Sequence, residues 1–218
     1  MKGVIYNKSS NRYSVMETSP IIGLSQTYGL EVHNSSLFGC TIGKGIKLLK
    51  RSIARGLSCE VALVEYGGND CDYPWAEIAD NPTGEFSPNT PLEVFALTLK
   101  EMLETLRAKK IQPILMTLPP IDSIRYLDHI CRDGLNKEAI LSFLQGDIQT
   151  IARFQELYSL KINAIAKETK TALIDVRSAF LKRRDYASLI GEDGIHPTPE
   201  GHLLIASSFA EYLELHRS

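Results

Sequence analysis

Val61-Ala62-Leu63-Val64-Glu65-Tyr66, followed at once by Gly67-Gly68-Asn69-Asp70, is the stretch on which the fold turns. A near-continuous β-branched and apolar run is the mark of a strand covered on both faces, as in parallel sheets. The two glycines and two polar residues end that strand in a loop. Upstream, Leu30-Glu31-Val32-His33 reads as a short strand after the Tyr28-Gly29 turn, and Gly45 to Arg55, with Ile46, Leu48, Leu49 and Ile53, reads as a helix. Downstream, residues 71–89 are rich in Pro, Asp, Asn and Gly, with Trp75 and Phe86 among them, and read as a long surface loop. Thr90-Pro91-Leu92-Glu93 has the form of a helix start, with Thr90 as N-cap and Glu93 completing a capping box, and Leu92, Phe95, Leu99, Met102, Leu103 and Leu106 share one face. Ile114 to Leu118 is the next buried strand, stopped by Pro119-Pro120. Helices follow over 136–144 and 148–169, then a last strand over Ala172–Val176, and Thr198-Pro199-Glu200 opens a helix running to about Leu215. Strands alternating with helices imply a parallel sheet with helices on both faces.

Composition bounds the classes. With 218 residues and 44% hydrophobic content, the chain reads as a single domain over 1–218; a chain of this size can bury roughly 70% of its unfolded surface. Lys+Arg 24 against Asp+Glu 26 gives a net charge of -2, with no block of like charge, which argues against nucleic acid or an anionic membrane as partner. The cluster Lys182-Arg183-Arg184 reads as a solvated face. No apolar run approaches the roughly 20 residues of a membrane span. Cys40, Cys59, Cys71 and Cys131 form no CxxC pair and no metal-ligand spacing, so neither a zinc site nor a disulfide framework is expected. A reducing cytoplasm fits this cysteine usage, and residues 2–8 lack the hydrophobic region of a signal peptide.

In open parallel sheets, ligands bind outside the carboxyl ends of the strands. The polar segments there are Phe38-Gly39-Cys40-Thr41, Gly67-Gly68-Asn69-Asp70, Thr117-Leu118-Pro119-Pro120 and Glu192-Asp193-Gly194-Ile195-His196-Pro197. Asp193 and His196 are three apart, a spacing that lets the carboxylate accept from Nδ1 and leaves Nε2 to take a proton, which is an oriented general base. Asn69 can aim its side-chain N–H at a developing oxyanion, and Gly39 can offer its backbone N–H to the same charge. Each feature alone has an ordinary structural reading: a capping Asp beside an exposed His, or an Asx turn. Their occurrence in this order, each after a strand, favours a site.

On these residues the sequence resembles the SGNH/GDSL family of serine hydrolases over nearly its whole length. Asn34 to Thr41 resembles the family block carrying the oxyanion glycine (Gly39), Gly67-Gly68-Asn69-Asp70 the block carrying the oxyanion asparagine (Asn69), and Asp193-Gly194-Ile195-His196-Pro197 the block with the Asp and His of the triad. The resemblance implies a three-layer α/β/α sandwich with a flavodoxin-like parallel sheet of about five strands. It also implies hydrolysis of carboxylic esters, short acyl or acetyl groups and possibly esters of carbohydrate, acting on small molecules with no metal or organic cofactor. The family nucleophile lies in a Gly-Asp-Ser motif at the end of the first strand, and this chain contains none. Met1-Lys2-Gly3-Val4-Ile5-Tyr6-Asn7 resembles the segment just after that serine in relatives, so the first expectation is that the first strand and the nucleophile precede Met1. The competing expectation takes Val4-Ile5-Tyr6 as the first strand and Ser9, or Ser10, as the attacker. Two other classes stay open: a catalytically silent acyl- or carbohydrate-binding module of the same fold, and a metal-dependent hydrolase built on Asp70, Asp72, Asp193 and His196.

Overall fold

In a computed structural model, residues 3–16 and 20–216 are described. In chain order the elements are β1 (Val4–Asn7), β2 (Arg12–Val15), α1 (Pro20–Tyr28), α2 (Ile42–Ala54), β3 (Val61–Val64), α3 (Trp75–Asp80), α4 (Leu92–Ala108), β4 (Gln112–Met116), α5 (Ser123–Cys131), α6 (Lys137–Phe143), α7 (Thr150–Glu168), β5 (Ala172–Ile174), α8 (Val176–Leu181) and α9 (Pro199–Leu215). They fall into two compact units, one from the described parts of 1–36, 119–152 and 175–218, the other from 37–118 and 153–174.

The second unit holds a parallel sheet in the order β3-β4-β5, with Val61 opposite Gln112 and Ile114 opposite Ala172. This is the parallel α/β architecture that the alternation predicts. Coverage of the strands differs from expectation. The central strand β4 is the fully covered one, buried from Pro113 to Met116, whereas β3 has one neighbour and leaves Val61 and Leu63 exposed at 47% and 38%. Three parallel strands are present among the described residues, against about five expected. Residues 30–33 join no ladder, and Leu30 and Val32 are exposed; an apolar alternation becomes a strand only where a neighbour takes its N–H and C=O groups.

The core of this unit is built by Ile42 and Ile46 of α2, Phe95, Leu99, Leu103 and Leu106 of α4, Leu115 of β4 and Tyr158, Ile162 and Ile165 of α7. Each such side chain contributes about 1.5–3 kcal/mol when fully buried. α2 approaches the residues after β3 so closely that a Cβ on Gly45 would lie 2.3 Å from the Tyr66 ring, which is why a glycine stands in that helix. The segment 71–89 is not a free excursion. It contains α3, buries Trp75 with its indole N–H donating to Asp72 Oδ1 at 2.7 Å, and is tied back by Asn89 N–H to Asp72 O (2.8 Å) and Thr90 N–H to Asp70 O (3.0 Å).

Thr90 does not cap α4. Pro91 occupies the N-cap position, Glu93 pairs with Lys161 at 3.0 Å, and the Thr90 hydroxyl donates to Asp70 at 2.7 Å, because a buried carboxylate is a stronger acceptor to satisfy than a solvent-facing helix end. Side-chain caps form elsewhere: Asn136 Oδ1 accepts from Ala139 N–H at 3.1 Å, and Thr198 Oγ1 from Gly201 N–H at 3.2 Å.

In the first unit α1 and α8 pack on α9, and Leu127, Ile140, Val176, Phe180 and Ile205 are fully buried. β1 and β2 form an antiparallel hairpin with Tyr6 opposite Tyr13. The expectation that Val4-Ile5-Tyr6 runs in the parallel sheet is therefore corrected. The turn explains the hairpin: Asn7 Oδ1 accepts from Ser9 Oγ (2.7 Å) and Ser10 N–H (3.2 Å), and Asn11 takes the left-handed conformation, φ 50, that asparagine tolerates. Arg183 of the basic cluster forks onto Asp185 at 2.9 Å on the surface. No helix among the described residues is long and apolar enough to cross a membrane.

Candidate active site

The loop before α9 is closed on itself. Gly191 N–H donates to His196 O (2.7 Å), Thr198 N–H to Leu189 O (2.9 Å), and Ile190 and Pro197 form an antiparallel bridge. Asp193 and His196 are thereby held across a tight turn. Asp193 is fully buried; its Oδ1 accepts from the backbone N–H groups of Ile195 (3.2 Å) and His196 (3.1 Å), and its Oδ2 from His196 Nδ1 at 2.6 Å. Burial pulls the Asp193 carboxyl upward, but the hydrogen bonds and charge of His196 together with the two backbone donors win, leaving it below the usual carboxylate range. It is thus an ionised acceptor at neutral pH, so Nδ1 of His196 is the donating nitrogen and Nε2 is the one left to take a proton. The His196 side chain is 22% exposed.

Gly194 allows this turn. It has φ +79, and a Cβ there would lie 2.4 Å from Tyr126 N and 2.5 Å from Asp122 O, in the first turn of α5. Asp122 N–H donates to Gly194 O at 2.8 Å while the Asp122 side chain caps α5 through Ile124 N–H and Arg125 N–H. Arg125 donates in turn to the carbonyls of Ala187 (2.8 Å) and Ile190 (2.7 Å), fastening the loop from its other side.

Three residues that sequence reasoning missed gather here. The Tyr13 ring lies 5.1 Å from the His196 ring, and its hydroxyl bonds His129 Nε2 at 2.8 Å. Burial, then the nearby Asp193 charge, push the Tyr13 phenol up to about 12, so it is protonated and is the donor. Burial, then the adjacent Arg132 charge, hold His129 below its ordinary value, which suits a neutral acceptor ring. His202, buried in α9, bonds the Val4 carbonyl through Nε2 at 3.0 Å; burial also lowers its pKa, and since a carbonyl only accepts, Nε2 bears the hydrogen. Only long-range contacts identify these groups; the one local hint is the alternation of Tyr6 and Tyr13 about an Asn- and Ser-rich turn. Lys8 in that turn pairs with Glu192 at 3.0 Å, and the Ser9 hydroxyl is donated to Asn7.

Gly39 and Asn69 belong to the second unit. Gly39 has φ +65 with open space where a Cβ would stand, three residues before α2. Asn69 is exposed directly after Gly67-Gly68, its backbone oxygen accepting from Asn89 Nδ2 at 2.9 Å. Asp70 joins the two turns: fully buried, it accepts from Ile42 N–H (2.9 Å), Thr90 Oγ1 (2.7 Å) and Gly67 N–H (3.1 Å). Burial raises its pKa despite these donors. No group of three or more His, Cys, Asp or Glu side chains is placed to hold a metal ion among the described residues, and the Asp70 oxygens accept from hydrogen-bond donors.

The chain is similar to several known proteins. The chain is 24% identical over 159 residues to the GDSL esterase/lipase WDL1 of Oryza sativa subsp. japonica, an alignment covering 71% of this chain and 53% of that protein, so the chain spans about half the length of this curated relative. In fold it is similar to the lipase/acylhydrolase of Enterococcus faecalis, at TM-score 0.66, 16% identity and coverage of 98% of this chain and 91% of that one. It is likewise similar to a catalytic mutant of Axe2, an acetylxylan esterase of Geobacillus stearothermophilus, at TM-score 0.61 and 21% identity, covering 89% and 80%. The model of the GDSL-like Lipase/Acylhydrolase family matches residues 23–204, a span that runs from α1 into α9 and takes in Gly39, Asn69, Asp193 and His196, and the chain belongs to that family.

Proposed function

We propose that this protein hydrolyses carboxylic esters of small molecules, short acyl and acetyl esters foremost, by a Ser-His-Asp mechanism. The observation that carries the reading is the 2.6 Å bond from His196 Nδ1 to a fully buried, ionised Asp193. A carboxylate so placed fixes the imidazole tautomer and favours the imidazolium that forms when Nε2 takes a proton. In the proposed cycle a serine Oγ attacks the ester carbonyl as its proton passes to His196 Nε2. Gly39 N–H and the Asn69 amide donate to the oxyanion, and His196 returns the proton to the leaving alcohol. Water then repeats the sequence on the acyl-enzyme. Ser9, whose hydroxyl donates to Asn7, and Ser10 are the hydroxyls to test as attacker in this chain. Acetylated xylo-oligosaccharides are the first carbohydrate esters to try, because one structural relative, Axe2, is described as an acetylxylan and acetyl-xylooligosaccharide esterase.

The test is turnover of p-nitrophenyl acetate by the wild type and by His196→Ala, with fluorophosphonate labelling to locate the serine. Turnover that depends on His196 is the expected result, and a label on Ser9 or Ser10 would favour the competing assignment of the attacker over a serine outside residues 1–218. Equal rates in the two proteins would sink the mechanism, and binding of the ester without His196-dependent turnover would favour the silent module.

A further inference from the structure

We infer that Asp70 is a positioning residue for ester hydrolysis, setting the spacing of the two oxyanion donors Gly39 and Asn69 by holding both of their turns on one carboxylate; the inference rests on the esterase reading above.

The geometry is specific. Gly39 reaches α2 through Cys40 and Thr41, and the first residue of α2, Ile42, donates its N–H to Asp70 Oδ1 at 2.9 Å. Asn69 is the immediate neighbour of Asp70, and the turn before it is fixed by Gly67 N–H on Oδ2 at 3.1 Å. The third donor, Thr90 Oγ1 at 2.7 Å, brings in the end of the 71–89 segment, whose Asn89 also holds Asn69 O. Thr90 is itself held from behind, its carbonyl accepting the Tyr158 hydroxyl from α7. The donors from other residues, Ile42, Gly67 and Thr90, thus come from three separate segments, and none is a cation. A buried carboxylate without a cationic partner is costly. An amide of the same shape cannot replace it, because its NH2 would face either the Gly67 N–H or the Ile42 N–H, donor against donor. What the carboxylate supplies is acceptance at both oxygens, and those oxygens face the two turns that carry Gly39 and Asn69.

A loop staple and a positioning residue predict different kinetics. Donors displaced from an oxyanion weaken the transition state more than the ground state, so kcat falls while KM holds. Asp70→Asn should lower kcat for p-nitrophenyl acetate about ten- to a hundredfold, short of the roughly hundred- to thousandfold that deletion of one donor costs, with KM within about twofold. Amide hydrogen exchange at Ile42 and Gly67 should accelerate together, with Leu115 in β4 unchanged. Accelerated exchange with wild-type kcat would make Asp70 a staple only and overturn the inference, as would unchanged exchange at both amides. Should Asp70→Asn not fold, Thr90→Val, which removes one donor and keeps the carboxylate, carries the same two readouts, and no change in either overturns the inference. Absence of His196-dependent turnover in the wild type sinks the esterase reading and this role with it, whereas turnover that survives Asp70→Asn at full kcat sinks this role alone.

Discussion

Replacement of Gly194 by alanine tests how the Asp193–His196 turn is held, and its size follows from two separable terms. The first is backbone: Gly194 has φ +79, and an L-residue in the left-handed region costs about 1–2 kcal/mol. The second is space: the new Cβ would lie 2.4 Å from Tyr126 N and 2.5 Å from Asp122 O, both backbone atoms of a capped helix start that cannot swing aside. Overpacking of this kind costs about 1–3 kcal/mol, and the loop can relieve it only by giving up the 2.8 Å bond from Asp122 N–H to Gly194 O. The sum is about 2–5 kcal/mol, against a typical domain stability of about 5–15 kcal/mol. Gly39→Ala is the internal control, since Gly39 has φ +65 but nothing within 4 Å of its Cβ position, so it should show the backbone term alone. Urea unfolding reads the difference: with a slope of about 2 kcal/mol per molar, Gly194→Ala should lower the midpoint by about 1–2.5 M and Gly39→Ala by about 0.5–1 M. Esterase kcat should fall in Gly194→Ala as the turn carrying the dyad shifts. Equal midpoints for the two variants would refute the claim that close approach to α5 shapes the turn.

Asn69→Ala should lower kcat roughly a hundredfold to a thousandfold, as loss of one oxyanion donor does, while its urea midpoint stays at the wild-type value because the side chain is exposed; a midpoint drop with unchanged kcat would contradict the donor role. Asp193 is held below its ordinary value, so its ionised form is favoured by folding: the stability it contributes is fully present above the unfolded value of about 3.9 and is lost as pH falls through the lower folded value. Urea midpoints of wild type and Asp193→Asn should therefore differ most above about pH 4 and converge below it, and a gap that persists unchanged into acid would refute the assignment. Thr198→Ala should cost about 0.5–2 kcal/mol by uncapping α9, measured by thermal unfolding, whereas Thr90→Ala should leave the end of α4 unaffected in hydrogen exchange because Pro91 holds that position.

The features legible in the sequence are those that local chemistry decides. β3, α4 and α9 follow from an apolar run, a periodic face and a Thr-Pro-Glu start, and the Asp193–His196 pair follows from a three-residue spacing inside a Gly- and Pro-containing turn. The features that escaped it depend on partners far along the chain. Thr90 satisfies every local rule of an N-cap, yet its hydroxyl goes to a carboxylate twenty residues earlier. Leu30 to His33 alternates like a strand but has no neighbour to complete a ladder. Tyr13 and His129, 116 residues apart, meet only because the β1–β2 hairpin and α5 are placed together by contacts absent from either stretch.

Each unit holds one fully buried aspartate in a glycine-bearing turn, and the two are tuned in opposite directions for a physical reason. Asp193 and Asp70 each accept two bonds from backbone N–H groups of other residues, and each has one side-chain donor. The side-chain donor differs: an imidazole that can carry positive charge for Asp193, a neutral hydroxyl for Asp70. Against a similar desolvation, the backbone donors and the Thr90 hydroxyl leave the Asp70 pKa raised above its ordinary value, whereas the imidazole beside Asp193 brings that carboxyl below the usual range. An ionised Asp193 on Nδ1 in turn steadies the positive charge that arrives when Nε2 takes a proton, which is what a general base requires of its support. Asp70, with no partner able to take up charge, can act only through geometry, and geometry is what an oxyanion hole needs from its supports.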